Sequence, residues 1–241
     1  MELYYTDLKN VFSNYLLITG TEAHHINNVM RHKIHDMIYV TDGQGNEYQT
    51  VIKTIEKNLI RADIINKSRK IRETLTKLTL AQCLIKGNNM DLIVEKTAEL
   101  GVYNIIPLIS ERTVVSASDK KIERYQKIML AAMKSSTRTR LPDINKPIKF
   151  VNLLSTIDQY DLALIAYEEE NIKNRLANIL PNQMLSKILL IIGPEGGFAS
   201  SEIHQAVTNG AKSFSLGPRR LRAETAAIAA VSVLLYDLKE M

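Results

Sequence analysis

The apolar positions change rhythm near residue 70. Before that point they come in short runs at 2–6, 15–19, 37–41, 47–54 and 59–65, rich in Tyr, Ile, Val, Leu and Thr, and these predict strands. Asp42-Gly43-Gln44-Gly45-Asn46 has the residues of a hairpin loop. One helical period interrupts the strands: Thr19-x-x-Glu22 fits a capping box, and Ala23, Ile26, Val29 and Met30 make one apolar face. Residues 1–70 thus predict a small β-rich domain, and the charged stretch 68–74 predicts the boundary.

From residue 71 to 241 strand and helix periods alternate. Strands are predicted at 75–85, 102–109, 162–167, 188–192 and 214–216. Helices are predicted at 88–100, closed by Gly101, at 119–138, stopped before Pro142, and at 171–179, followed by a turn at Pro181-Asn182. Further helices are predicted at 200–209, with Ser200 as N-cap, and at 226–238, where the helix is apolar nearly all round. Such alternation implies an α/β domain: a parallel sheet with helices on both faces.

Two of the predicted strands end in Gly-Pro. Residues 188–192 lead into Gly193-Pro194-Glu195-Gly196-Gly197, and residues 214–216 lead into Gly217-Pro218-Arg219-Arg220-Leu221-Arg222. Both loops should leave the same end of the sheet, where open α/β proteins bind their ligands. Glycines let backbone approach a flat ligand closely, and freed N–H and C=O groups can read its edge.

Composition narrows the class. The chain has 241 residues, 45% hydrophobic and 24% charged, the balance of a globular protein. No apolar run is long enough to span a membrane, and the first residues lack a signal-peptide pattern. The single cysteine, Cys83, excludes an internal disulfide and a multi-cysteine metal site, so a cytoplasmic protein is expected. Net charge is +5, and its distribution is uneven: residues 112–146 hold nine Lys or Arg against three acids. An anionic partner such as RNA fits that pattern. No Gly-x-x-x-x-Gly-Lys-Ser/Thr loop is present to hold a nucleoside triphosphate, and no Gly-x-Gly-x-x-Gly joins a strand to a helix.

The segments IIGPEGGFASSE and LGPRRLRAETAAIAA resemble the two signatures of the RsmE family, SPOUT-superfamily methyltransferases. His24-His25-Ile26 with Val29-Met30-Arg31, Lys86, and Glu95-Lys96-x-x-Glu99-Leu100-Gly101 are also similar to that family's pattern. Ser135 stands where family members carry Gln. The resemblance implies a PUA-like N-terminal β-barrel (1–70) and a SPOUT domain (71–241) whose C-terminal segment forms a trefoil knot. It also implies S-adenosylmethionine (SAM) as cofactor, a homodimer, and methylation of N3 of a uridine in 16S rRNA within the small ribosomal subunit. No metal is expected for that chemistry.

On this resemblance the cofactor falls to Ala166, Ile192, Gly193, Pro194, Glu195, Gly196, Gly197, Leu216, Gly217, Leu221, Arg222, Thr225 and Ala226. Arg222 is the candidate catalytic cation: a guanidinium stays protonated and can stabilise a developing uridine anion. Glu224 either orients Arg222 or takes the proton. Expected RNA contacts are Arg31, Lys33, Lys86, Lys96, Lys120, Lys121, Arg124, Arg138, Arg140, Arg219 and Arg220. The competing readings are a SPOUT methyltransferase acting on another RNA and an RNA-binding ribosome-assembly factor without catalysis.

Overall fold

A computed structural model describes residues 2–69, 71–116, 118–181 and 183–241. Asn182 of the expected 181–182 turn and Lys70 of the expected connector lie outside the described residues. The chain divides into two compact units, Met1–Glu73 with Leu130–Leu141, and Thr74–Met129 with Pro142–Met241.

The first unit holds strands β1 (Leu3–Tyr5), β2 (Tyr15–Thr19), β3 (Met37–Thr41), β4 (Asn46–Glu56) and β5 (Leu59–Arg69). They form one sheet in the order β1-β3-β4-β5-β2. Only β1 and β3 run parallel; the other pairs are antiparallel. Alternate residues turn inward, so Leu16, Ile18, Ile38, Val40, Ile52, Ile60 and Ala62 meet in one core with Tyr4 and Tyr48. Helix α1 (Gly20–His24) continues into a π-helical turn, His25–Val29, and together they bury Ala23 and Ile26 against that core.

The expected capping box at Thr19 does not form. Thr19 is the N-cap, but its side chain makes no capping bond. Glu22 is drawn away by stronger partners: its Oε1 accepts the Tyr5 N–H at 2.9 Å, and its Oε2 takes Lys134 Nζ at 2.7 Å. A charge-assisted pair outcompetes a local cap.

The second unit carries β6 (Lys77–Cys83), α2 (Asn89–Leu100), β7 (Asn104–Ile109), α3 (Asp119–Ser135), β8 (Asp143–Ile144), β9 (Ile148–Lys149) and α4 (Phe150–Leu154). It continues with β10 (Leu162–Ala166), α5 (Leu176–Ile179), β11 (Lys187–Ile192), α6 (Ser200–Thr208), β12 (Lys212–Phe214) and α7 (Ala223–Asp237). The division between units falls inside α3. The sheet order is β12-β10-β11-β6-β7-β8, with β9 also on β7, and every pairing is parallel. Both faces of its central strands are buried, which is why β11 and β10 read as unbroken apolar runs. One face (Ala81, Cys83, Leu189, Ile191) packs with Phe150 and Leu153 of α4 and Ile203 and Ala206 of α6. On the opposite side α7 packs on β11 and α2.

Several boundaries move. Helix α3 stops at Ser135 rather than 138, because Thr137 turns left-handed (φ 56°) and the Arg138 N–H reaches back to Met133 O at 2.9 Å. The helix expected over 171–179 is helical only at Leu176–Ile179. Ser200 is the first residue of α6, not its cap; Ala199 occupies the cap position and its N–H is held by Glu202 Oε2 at 3.0 Å. Helix α7 begins three residues earlier than expected, at Ala223.

Candidate active site

Three loops leave the carboxyl end of adjacent strands. Residues 193–197 follow β11, residues 167–168 follow β10, and residues 215–222 follow β12, with β10 between the other two in the sheet. Their parallel directions put all three loops at one rim, as the two Gly-Pro sequences require. Between them lies a cleft of about 600 Å³, counting space open to solvent, within the range of small-molecule sites. Its walls are Ala166, Tyr167 and Glu168, then Ile192–Glu195, Gly197 and Phe198, then Leu216, Gly217, Arg219, Arg220, Leu221, Ala223 and Ala226.

The loop after β11 is fastened at nearly every residue. Gly193 O accepts Gln82 Nε2 at 3.3 Å. Glu195 Oε1 accepts the Lys86 N–H at 2.8 Å, and Gly196 O accepts Arg112 Nη1 at 2.8 Å. Gly197 turns with φ 68°, and a Cβ there would sit 2.3 Å from Glu168 Oε1. Only glycine fits both the conformation and the space. Glu202, buried at the start of α6, ties this loop to the one after β7: its Oε1 accepts the Glu111 N–H at 2.9 Å while its Oε2 holds Ala199.

The loop after β12 is fastened more lightly. Ser215 N–H donates to Asn174 O at 2.9 Å, and Gly217 N–H donates to Ser215 Oγ at 3.2 Å. Gly217 has φ 106° and nothing within 4 Å of a Cβ position. Arg219 and Arg220 are exposed. They also line a second, charged recess with Arg112, Glu168, Glu169 and Gly196 beside the first.

Of the residues assigned to the cofactor from sequence, ten line the cleft. Gly196, Arg222 and Thr225 do not: Gly196 faces the charged recess, while Arg222 and Thr225 are exposed at the start of α7. Arg222 is the N-cap of α7, its carbonyl accepting the Ala226 N–H at 2.8 Å, and Glu224 lies half-buried in the first turn. Sequence reasoning missed Gln82, Arg112, Phe198 and Glu202. Arg112 had a usable signal, since it follows the carboxyl end of β7 and so belongs to the same rim.

The expected RNA contacts separate into different environments. Arg31 and Lys33 are exposed on the first unit, with Arg31 left-handed at φ 59°. Arg138 must be corrected: it is 3% exposed, and its Nη2 lies 2.7 Å from Glu73 Oε2. A buried paired guanidinium braces the fold and is not available to a phosphate. Arg140 is half-buried, and its backbone N–H also bonds Glu73, at 2.9 Å. On the second unit Lys86, Lys120, Lys121 and Arg124 are exposed; Arg124 pairs with Asp91. Lys96 is held by Glu95 and Glu99, whose hydrogen bonds raise its pKa.

Cys83 is fully buried, and burial pushes its thiol up to about 12, so it is inert as a nucleophile. Among the described residues no group of three or more His, Cys, Asp or Glu could hold a metal ion, and no helix is long and apolar enough to cross a membrane.

An all-parallel α/β domain with its cleft between glycine loops, beside a small β domain, is the architecture of a class of RNA-modifying enzymes. A family described as RNA methyltransferase domain matches residues 72–235, and one described as RNA methyltransferase PUA domain matches residues 18–65. The chain belongs to the ribosomal RNA small subunit methyltransferase E family. The Bacillus subtilis protein of that name is 33% identical over 230 residues, covering 91% of this chain and 89% of the relative. The Mesomycoplasma hyopneumoniae protein is 34% identical over 227 residues, covering 93% and 95%. The crystal structure of the Neisseria gonorrhoeae enzyme of this name, bound to SAM, superposes with a TM-score of 0.88 at 28% identity, covering 98% of this chain and 97% of that one.

Proposed function

We propose that this chain is a SAM-dependent methyltransferase that modifies N3 of a uridine in 16S rRNA of the small ribosomal subunit, at the family site uridine 1498. The observation that carries this reading is the convergence of three strand-end loops on one cleft, in a chain that aligns over nearly its whole length with a SAM-bound relative. The residues present suit an adenosyl group. Gly217 leaves open space at its α-carbon, Gly193 and Gly197 offer close backbone, and Ile192, Leu216 and Leu221 offer apolar walls.

SAM supplies an electrophilic methyl group. The chain's own part is to hold the base, remove or share its N3 proton, and exclude competing geometries. A uridine in a folded RNA must leave its stack to reach the rim. Arg222, at the N-terminus of α7 beside Leu221, is assigned to stabilise negative charge on the pyrimidine, and Glu224, two residues on, to orient it or accept the proton. Arg219, Arg220 and Arg112 give the recess next to the cleft a positive lining suited to the phosphates flanking the base. The PUA-like unit adds Arg31 and Lys33 as further RNA contacts. The reading includes a knotted C-terminal segment and a cytoplasmic homodimer packed through the outer face of α7, where Val233 and Tyr236 stand exposed.

The test is mass mapping of 16S rRNA from cells lacking this protein, before and after incubation with the purified chain and SAM. One added methyl on a uridine base at N3 is expected. Methylation on a ribose hydroxyl or on another RNA would replace the proposed substrate, and SAM binding without transfer would make the chain a non-catalytic factor.

A further inference from the structure

The amino end of the parallel sheet carries a second polar pocket, far from the cleft. Strand β11 alone separates the two ends by about 17 Å, at roughly 3.3 Å per residue. Lys77 and Lys187 are register partners on adjacent parallel strands, and Thr79 is the partner of Asn104 on the next. These positions share the face that farther along is apolar (Ala81, Leu189, Ile106) and covered by α4 and α6. Where the covering ends, core residues give way to two lysines and an amide.

That arrangement is unfavourable without a ligand. Like charges side by side on neighbouring strands repel. Neither ammonium group makes an ion pair among the described residues; Lys77 Nζ lies 5.2 Å from the centre of the Tyr103 ring. The nearby Asp161 carboxylate is committed to the backbone, accepting the Ser186 N–H at 2.7 Å and the Lys187 N–H at 2.9 Å. Asp143 is the one carboxylate among the lining residues, so the lining carries a positive excess. Asn104 Oδ1 is buried with no hydrogen-bond partner, and Tyr103 and Tyr160 both line the same pocket. A buried acceptor without a donor is costly and marks a place for one.

We infer that this pocket binds a nucleotide of single-stranded RNA, with its phosphate on Lys77 and Lys187, its base against a tyrosine ring, and Asn104 Oδ1 accepting from a ribose 2′-hydroxyl or a base N–H. Paired lysines, aromatic faces and an unused amide acceptor are the groups that single-stranded RNA recognition employs. The inference rests on the RNA-methyltransferase reading and adds to it: the substrate touches the catalytic domain at both ends of the sheet, so a long RNA is held where a short fragment around the target base is not.

The test is fluorescence anisotropy of the full chain with a labelled single-stranded oligouridylate across a salt series, comparing wild type, the Lys77→Ala/Lys187→Ala double variant and a Lys77→Arg/Lys187→Arg control. The alanine variant should bind at least about 10-fold more weakly at low salt, with a log–log salt slope smaller by about 1.4 for two lost single-strand phosphate contacts. The arginine control should retain binding, and calorimetry should show unchanged SAM affinity in both, which certifies the fold. Equal affinity and slope in wild type and the alanine variant would overturn the inference. Full displacement of the oligomer by an equal phosphate concentration of uridine monophosphate would also overturn it, by making the pocket a free-nucleotide site. A wild-type chain that binds the oligomer but transfers no methyl to 16S rRNA would instead sink the parent reading and leave the pocket standing.

Discussion

The two Gly-Pro loops share a motif, a rim and a ligand, yet they are built differently. The loop after β11 is bonded to Gln82, Lys86 and Arg112, and Glu168 fills the space beside Gly197. The loop after β12 has one side-chain bond, Ser215 to Gly217, and ends in exposed arginines. A fixed wall and a charged, lightly held wall suit two tasks. The first presents backbone to a cofactor at no reorganisation cost, and the second meets an anionic substrate that arrives and leaves.

The largest effect should separate these tasks. Arg222→Ala is expected to lower kcat on 16S rRNA by about 100- to 1000-fold, the usual loss of one preorganised charge stabiliser, with SAM affinity unchanged. Equal losses in both would erase the division of labour. Gly197→Ala should do the reverse. A left-handed side chain costs about 1–2 kcal/mol and the contact with Glu168 adds more, so SAM binding measured by calorimetry should weaken by about 100-fold or more. Gly217→Ala meets no neighbour, so only the conformational term applies, and a loss of about 5- to 30-fold is expected. If Gly217→Ala proved the worse of the two, the fixed and lightly held assignments would be reversed.

Smaller effects probe the bracing. Glu202→Gln leaves an amide donor facing an N–H, which should cost about 1–3 kcal/mol in denaturant unfolding and weaken SAM binding only a few-fold. Cys83 should show the least response. Because burial raises its pKa, the thiolate is disfavoured at neutral pH and grows only as pH rises toward about 12. A thiol reagent at pH 8 should therefore label the native chain only as fast as it unfolds, and rapid labelling would show that the face under α4 and α6 is open.

The contrast also marks what the residues alone could disclose. Strands β2 and β3 have the bounds read from the sequence, because β-branched and aromatic runs between turn residues leave little choice. The rim was legible because two Gly-Pro breaks follow two buried strands, and a parallel sheet puts such breaks on one side. Partners distant in the chain were not legible. Glu22 looks like a capping residue until Lys134, 112 residues away, takes its carboxylate. Arg138 looks like a surface cation until Glu73 is found against it. Arg112, Gln82 and Glu202 brace the β11 loop from elements whose proximity depends on sheet order, which no local period encodes. The end of α3 moved for a related reason, since Thr137 adopts a left-handed turn that propensity does not favour.

The central claim is that the three loop ends after β10, β11 and β12 form the SAM cradle. A crystal structure of the chain soaked with SAM tests it most directly. Density for the adenosyl group should lie against Ile192–Gly197, Ala166–Glu168 and Leu216–Ala226, with the methyl directed toward the recess lined by Arg219 and Arg220. Cofactor density elsewhere, with that cleft left empty at saturating SAM, would contradict the account.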